Sequence, residues 1–92
     1  MYQIQFTNKM KKDVKRMKKR GKDIFKLTSV LSILASGNSL PSSARDHQLT
    51  GNRQGFRECH IEPDWLLIYR IDAGDLILIA TETGTHAELF NL

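Results

Sequence analysis

The segment WLLIYRI at residues 65–71 constrains the fold of this chain more than any other feature of the sequence. Its apolar and aromatic residues are typical of a buried strand. Trp65, Leu67 and Tyr69 would face one side of that strand, and Leu66 and Ile68 would face the other. Both faces therefore need apolar cover near these positions. We expect a central strand of a sheet that helices cover on one side.

Two helices and three further strands are predicted around this segment. The helices cover about residues 9–20 and 22–36, and the strands cover about residues 2–7, 53–61 and 76–82. Asn8 is expected to cap the first helix and Gly21 to end it. The second helix is expected to form the core, with Phe25 and Val30 on its apolar face, while the first stays mostly exposed.

The element order is therefore β-α-α-β-β-β. This order predicts an α+β fold in which a small antiparallel sheet carries an N-terminal helical hairpin on one face. Residues 40–52 are expected to form a long loop, and DAGD at 72–75 a tight hairpin turn. The tail THAELFNL predicts either a helical turn or a last strand.

Length and composition favour a single domain over residues 1–92 in the cytoplasm. The chain has one cysteine, Cys59, which excludes an internal disulfide and a multi-cysteine zinc site. No apolar run approaches the 18 or so residues that a membrane span needs, and the N-terminus lacks a signal-peptide pattern. We therefore expect no association with a membrane.

Positive charge is concentrated near the N-terminus. Residues 9–26 hold ten Lys and Arg against two Asp, a net charge of +8, whereas the whole chain carries +4. A block of this kind indicates a surface that binds a polyanion such as RNA. A lysine-rich helix face that only contacts solvent is the alternative.

Three histidines and one aspartate lie near predicted strand ends. His47 is in the long loop, His60 ends a strand with Asp64 four residues later, and His86 lies in the tail. One edge of the sheet could gather all four. A zinc hydrolase that uses the same residues remains open. A nucleophilic triad is disfavoured, because Cys59 would point away from His60.

Cleavage of RNA without a metal ion suits these residues best. The substrate supplies its own nucleophile, the 2′-OH, so the protein needs a base, an acid and a cation near the phosphate. Histidine titrates near neutrality and can serve either proton-transfer role. Arginine can clamp the phosphate, and Arg53, Arg57 and Arg70 are the candidates.

Three blocks carry a family resemblance. DHQLTG (46–51), GFRECHIEPDWLLIYR (55–70) and TGTHAELF (83–90), in this order and spacing, resemble the YafQ branch of the RelE superfamily. These proteins are toxins of type II toxin–antitoxin modules and act as ribosome-dependent mRNA endonucleases. The resemblance implies a RelE-like fold over nearly the whole chain and an endoribonuclease that needs no cofactor.

The resemblance also assigns residues. It implies acid–base catalysis by His47, His60, Asp64 and His86, with Phe90 positioning a base of the message. His60 and Asp64 lie on the same bend and are expected to act together as the general base. His86 is expected to act as the general acid. Trp65 is either core or part of the site wall, and its place at the head of a strand favours the core. The basic helix would bind ribosomal RNA through Lys11, Lys12, Lys15, Arg16, Lys18 and Lys19.

One position departs from the family pattern. Similar toxins commonly carry an arginine that faces the scissile phosphate just before the TGTH block, and this chain has Glu82 there. Either Glu82 turns away or another cation compensates for it, and strand order favours Arg57 and Arg70.

Expected partners are a DinJ-like antitoxin, the ribosome and its mRNA, with operator DNA bound by the antitoxin complex. The alternative is a non-catalytic RNA-binding protein, or a degenerate toxin that acts only through antitoxin binding and co-repression.

Overall fold

The computed structural model describes residues 1–90, which form one sheet with helices on both of its faces. Asn91 and Leu92, the last two residues of the predicted tail, lie outside the described residues. The elements in chain order are β1 (Gln3–Phe6), α1 (Asn8–Lys19), α2 (Ile24–Ala35), β2 (His47–Gln48), β3 (Arg57–Glu62), β4 (Trp65–Asp72), β5 (Ile77–Gly84) and α3 (His86–Phe90). Short 3₁₀ turns at Ser42–Ala44 and Gly51–Arg53 flank β2.

The five strands lie in the order β1-β5-β4-β3-β2, so β4 is central as predicted. The α+β class is also confirmed. All neighbouring pairs are antiparallel except β1 and β5, which run parallel. The parallel pair differs from the wholly antiparallel sheet expected from the sequence. The parallel pair forms because the last strand, β5, lies between β1 and β4 and runs in the same direction as β1.

Helices α1 and α2 pack on one face of the sheet and form the main core there. The core combines residues of both helices with β4, among them Met10, Met17, Leu27, Leu31, Trp65, Leu67 and Tyr69. Each such side chain contributes roughly 1.5–3 kcal/mol by leaving water. Helix α1 is therefore more deeply buried than its charge suggests, since both methionines are fully inaccessible.

Two sequence predictions about the helices are wrong. Thr7, not Asn8, caps α1, because the Thr7 hydroxyl accepts a hydrogen bond from the Met10 amide at 3.0 Å. Phe25 does not widen the apolar face of α2, since it is 78% exposed. Asp23 caps α2 by accepting from the Phe25 amide, which places Phe25 in the first helical turn, facing solvent.

A smaller apolar cluster covers the opposite face of the sheet. Leu66, Ile68 and Leu89 are its buried members, with Leu49, Phe56 and Phe90 packed around them. The predicted loop over residues 40–52 is ordered by β2 and by the two 3₁₀ turns, and the tail forms α3. Among residues 1–90, none of the helices has the length and apolarity to cross a membrane.

Candidate active site

Strand alternation gathers ionisable side chains on the sheet face away from α1 and α2. Glu58 and His60 are two residues apart on β3 and share this face, while Cys59 packs in the core beneath the helices. On the neighbouring strand β4, Ile68 lies opposite Glu58 and Leu66 lies opposite His60. Both of these β4 residues are fully buried in the apolar cluster with Leu89, and this cluster forms the floor of the site, with the ionisable groups along its sides.

Glu58 lies between two of the predicted histidines. Its Oε1 atom is 3.7 Å from His47 Nε2 and 3.6 Å from His60 Nε2, and the residue is buried. His47 is not part of an irregular loop, because β2 pairs it with Glu58 on β3. Its Nδ1 lies 2.6 Å from the Arg45 carbonyl oxygen. The sequence prediction missed Glu58, although alternation along RECHIE puts it on the same face as His60.

His86 and Asp64 form a hydrogen-bonded pair. His86 Nδ1 is 2.6 Å from Asp64 Oδ1, and the His86 amide donates to the same oxygen at 2.9 Å. The amide and the ring of His86 hold the pKa of the Asp64 carboxyl below its usual value. The expected pairing of Asp64 with His60 is therefore wrong. Asp64 precedes β4, and its carboxylate turns to α3, which follows β5 on the far side of β4 from His60.

A capping box fixes the position of His86. The Thr85 hydroxyl accepts from the Glu88 amide at 3.2 Å, and Glu88 Oε1 accepts from the Thr85 amide at 3.0 Å. This reciprocal pair begins α3 directly after β5. His86 is thereby the first residue of the helix, and its backbone N–H points to Asp64 instead of to a helical carbonyl.

His60 and His86 lie side by side. The rings of His60 and His86 are 5.5 Å apart between centroids and meet edge to face at 69°. Asp64 contacts His86, and Glu58 lies near His60 and His47 alike. Two imidazoles at this spacing can handle two protons on one bound group, one accepted and one donated.

Of the three arginines predicted to meet a phosphate, Arg57 is on the wrong face. Its Nε lies 3.3 Å from Asp46 Oδ1, and the Tyr69 hydroxyl donates to the same carboxylate at 2.6 Å, on the helix side of the sheet. Arg70 is exposed and lies opposite Ile79, two residues further along β4 than Ile68. It shares the face of the histidines but lies at the far end of the strand.

Arg53 is the arginine that meets Glu82. Its Nη1 pairs with Glu82 Oε2, its Nη2 donates to the Leu89 carbonyl at 2.7 Å, and its guanidinium lies 5.0 Å from the centre of the Phe90 ring. The expectation that Arg57 or Arg70 would compensate for Glu82 is therefore wrong. The 3₁₀ turn at Gly51–Arg53 brings Arg53 over β5, which strand order alone does not indicate.

Trp65 lies in the core and not in the wall of the site. It is fully buried, and its indole N–H donates to the Thr83 hydroxyl at 2.8 Å. That hydroxyl donates in turn to the Leu66 carbonyl at 2.6 Å. The role of Trp65 is to anchor the start of β4 beneath Asp64.

The remaining chemical alternatives find little support in this geometry. Cys59 is buried, and burial raises the pKa of its thiol to about 12, so it is not a thiolate at neutral pH. Within residues 1–90, no three side chains of His, Cys, Asp or Glu converge in a way that could hold a metal ion.

Helix α1 packs on the opposite face of the sheet from the histidines, and its lysines face solvent. Lys11, Lys12, Lys15, Lys18 and Lys19 are all exposed. Arg16 differs from them, because it donates to Asp13 at 2.9 Å and to the Thr83 carbonyl at 3.1 Å. Its Nε also lies 2.8 Å from Glu88 Oε2, an ion pair without hydrogen-bond alignment. Arg16 therefore ties α1 to β5 and α3.

Residues 2–91 match the family described as the bacterial toxin of type II toxin–antitoxin system, YafQ. The chain is 42% identical over 88 residues to the mRNA interferase toxin YafQ of Escherichia coli strain K12. That alignment covers 95% of this chain and 94% of the relative.

Solved structures of similar toxins share the fold. The E. coli DinJ–YafQ complex contains a chain with a TM-score of 0.88 and 40% identity, covering 98% of this chain and 99% of that chain. A metal-bound toxin from Helicobacter pylori matches with a TM-score of 0.93 and 39% identity, covering 98% of this chain and all of its own.

Proposed function

The chain belongs to the YafQ family of bacterial toxins of type II toxin–antitoxin systems, and we propose that it is a toxin that cleaves messenger RNA on the ribosome by metal-independent acid–base catalysis. The observation that carries this proposal is the pair of adjacent imidazoles, His60 and His86, 5.5 Å apart, with Glu58 near His60 and Asp64 hydrogen-bonded to His86. The similar protein of E. coli is an mRNA interferase, which gives the substrate class.

The reaction needs two proton transfers at one phosphate. A base takes the proton of the 2′-OH, the 2′-oxygen forms a bond to phosphorus, and the bond from phosphorus to the 5′-oxygen breaks. An acid then protonates the leaving 5′-oxygen. The products are a 2′,3′-cyclic phosphate and a 5′-hydroxyl, and no further reactant is required.

His86 suits the role of the acid. The Nδ1 atom of His86 donates a hydrogen bond to Asp64, so Nε2 is the ring atom of His86 that is available to the leaving oxygen. An ionised Asp64 also favours the charged imidazolium that an acid must be at the start of the reaction. His60, with Glu58 nearby, then acts as the base, and His47 orients the RNA.

Phe90 and the exposed cations complete the assignment. Phe90 packs at the edge of the apolar cluster and is proposed to position a base of the message by stacking. Arg70 is proposed to contact the RNA chain beyond the cleaved bond. The exposed lysines of α1 are proposed to bind ribosomal RNA, since α1 packs on the opposite face of the sheet from the histidines and carries a high density of positive charge.

A toxin with this activity needs a partner that masks it. The similar E. coli toxin is found in complex with DinJ. We propose that a DinJ-like antitoxin places acidic side chains against the lysines of α1 or the histidine rim, and that the complex binds operator DNA. Activity is expected in the cytoplasm, where ribosomes are.

Two specific observations favour other functions. The carboxylate of Glu82 on the sheet face of the site would oppose a phosphate, as expected for a toxin that only binds its antitoxin. The metal-bound toxin of H. pylori favours a metal-dependent hydrolase. The two alternatives predict, respectively, no cleavage and cleavage that a chelator abolishes.

Inducible expression in a bacterial host tests these functions together. We expect growth arrest and loss of messages with the unmodified chain, and normal growth with His86→Ala. Asp75→Asn is the control, because Asp75 is exposed in the β4–β5 turn at the other end of the sheet, and it should remain toxic. Growth unaffected by the unmodified chain would contradict the proposed activity.

A further inference from the structure

We infer that Arg53 is the phosphate-binding cation of this site and that Glu82 holds its guanidinium there until RNA takes the place of the carboxylate. This inference rests on the proposed function. Arg53 lies in the 3₁₀ turn at Gly51–Arg53, before β3. The order of the strands alone does not predict the position of this turn.

The contacts of Arg53 leave hydrogen-bonding capacity for a ligand. A guanidinium has five N–H donors, and in this site one contact joins Nη1 to Glu82 and one joins Nη2 to the Leu89 carbonyl. The side chain is 30% exposed, so its remaining donors can reach a bound group. A phosphate could therefore bind without breaking the contact with Leu89.

The contact with Glu82 places Arg53 across the floor of the site from the histidine cluster. Glu58, Ile68 and Glu82 form a row across β3, β4 and β5. Two strand spacings separate the backbone of Glu58 from that of Glu82 by about 10 Å. The next row contains His60, Leu66 and Gly84, after which the chain turns into α3 and His86. Leu66 and Ile68 are fully buried in the cluster with Leu89, so a phosphate held between the imidazoles and Arg53 would lie outside this cluster, at the surface.

The other arginines near this part of the sheet are less well placed. Arg57 is bound to Asp46 on the helix side, and Arg70 lies two residues along β4 from Ile68. Lys9 also approaches Glu82, at 3.7 Å, but it is shared with Asp13 and extends from α1. Arg53 alone among these cations also contacts Phe90, the residue proposed to position a base.

Glu82 determines how strongly Arg53 attracts an anion. Its carboxylate neutralises the guanidinium in the unbound protein and competes with an incoming phosphate. Removing the charge of Glu82 should therefore strengthen RNA binding, whereas removing Arg53 should weaken it. If Arg53 and Glu82 served only to hold α3 on the sheet, either substitution would loosen Phe90 and weaken RNA binding. Removing the charge of Glu82 would then weaken binding instead of strengthening it.

The test measures binding of a short 2′-O-methyl RNA oligonucleotide, which cannot be cleaved, to the purified chain as a function of salt. We expect Glu82→Gln to bind several-fold more tightly and Arg53→Gln several-fold more weakly. The salt slope should flatten by about 0.7 in Arg53→Gln, the change for one phosphate of a single strand, and should stay the same in Glu82→Gln, which makes the same Arg53–phosphate contact. Arg53→Lys keeps the charge and should bind between Arg53→Gln and the unmodified chain, and Asp75→Asn should bind normally.

Thermal unfolding of each variant separates binding from folding. The inference is overturned if Glu82→Gln weakens binding as Arg53→Gln does, if folded Arg53→Gln and Arg53→Lys bind like the unmodified chain, or if no variant binds the oligonucleotide. The probe reports binding without cleavage. A chain that binds through Arg53 yet causes no growth arrest would therefore refute the proposed activity and leave this inference standing.

Discussion

His86 and Asp64 show at the level of single residues how this site is built. The imidazole and the backbone amide of His86 share one carboxylate oxygen, so a single side chain holds both the ring and the first backbone amide of α3. The same contacts lower the pKa of the Asp64 carboxyl. Asp64 therefore stays ionised through the neutral range and keeps its charge beside the proposed acid.

Asp64→Asn tests that charge with little change of shape. Asparagine can still accept from the His86 amide, but it no longer stabilises an imidazolium. We expect the rate of message cleavage to fall at least about a hundredfold, with unfolding temperature near that of the unmodified chain. Asp75→Asn makes the same chemical change at the far end of the sheet and should retain full activity. An active Asp64→Asn variant would remove Asp64 from the mechanism.

Sequence reasoning grouped the histidines correctly but not their partners. Alternation along a strand is local, so it predicted that Cys59 faces away from His60, and it also contained the signal for Glu58. The partner of Asp64 depended on where α3 begins, which is set by the Thr85–Glu88 capping box and not by distance along the chain. The contact between Arg53 and Glu82 depended on an irregular turn, for which no periodicity exists.

Helix α1 serves two purposes at the level of elements. One side reaches inward, where Asp13 is buried and accepts from Lys9, Arg16 and the Thr83 amide. The other side presents lysines to solvent. The charge of this segment predicted the exposed lysine side but not the depth of burial on the inner side. Two fully buried methionines are enough to dock a helix that is otherwise basic.

Helix α3 is held on the protein by Glu88. Arg20 donates two hydrogen bonds to its carboxylate, at 2.8 and 2.6 Å, and these bonds lower the pKa of Glu88 to about 2. Gly84 leaves room for this contact, since a Cβ atom there would lie 3.1 Å from Glu88 Oε1. The element that carries His86 and Phe90 is thus secured to α1 by an ion pair.

Stability should follow the titration of Glu88. Its folded pKa is depressed from 4.5, so the stabilisation is fully present above about pH 4.5 and is lost as pH falls toward 2. We expect Glu88→Gln to cost about 1–3 kcal/mol at neutral pH, after allowance for solvent screening. Thermal unfolding should show the gap between this variant and the unmodified chain closing between pH 4.5 and 2. A gap of constant size would contradict the assignment.

The lysine face of α1 should determine the salt dependence of ribosome binding. Replacing Lys11, Lys15, Lys18 and Lys19 by Gln should weaken association and flatten the salt slope by roughly 0.7–0.9 for each phosphate that the variant no longer neutralises. Replacing the same four residues by Arg preserves the charge and should preserve the slope. Because these residues are exposed, each change should alter the free energy of unfolding by no more than about 0.5 kcal/mol. Unchanged ribosome affinity of the Gln variant would leave the lysines as a solvated surface.

At the scale of the whole molecule, the sheet separates two kinds of surface. Its helix-covered face carries the main core and, outside it, the lysines. Its other face carries a small apolar floor with histidines and carboxylates around it. The central strand β4 contributes to both sides, with Trp65 in the core and Leu66 and Ile68 under the site. This division places the lysines and the histidine cluster on opposite faces of the sheet.

Mapping the ends of cleaved message most directly tests the proposed reaction. Purified chain and ribosomes carrying a defined message should yield fragments with a 2′,3′-cyclic phosphate or 3′-phosphate and a 5′-hydroxyl. His86→Ala should yield at least about a hundredfold less product. Chelation at a level that leaves the ribosomes intact should not change the cleavage. A 3′-hydroxyl with a 5′-phosphate, or cleavage that depends on an added metal ion, would contradict attack by the 2′-OH through His60 and His86.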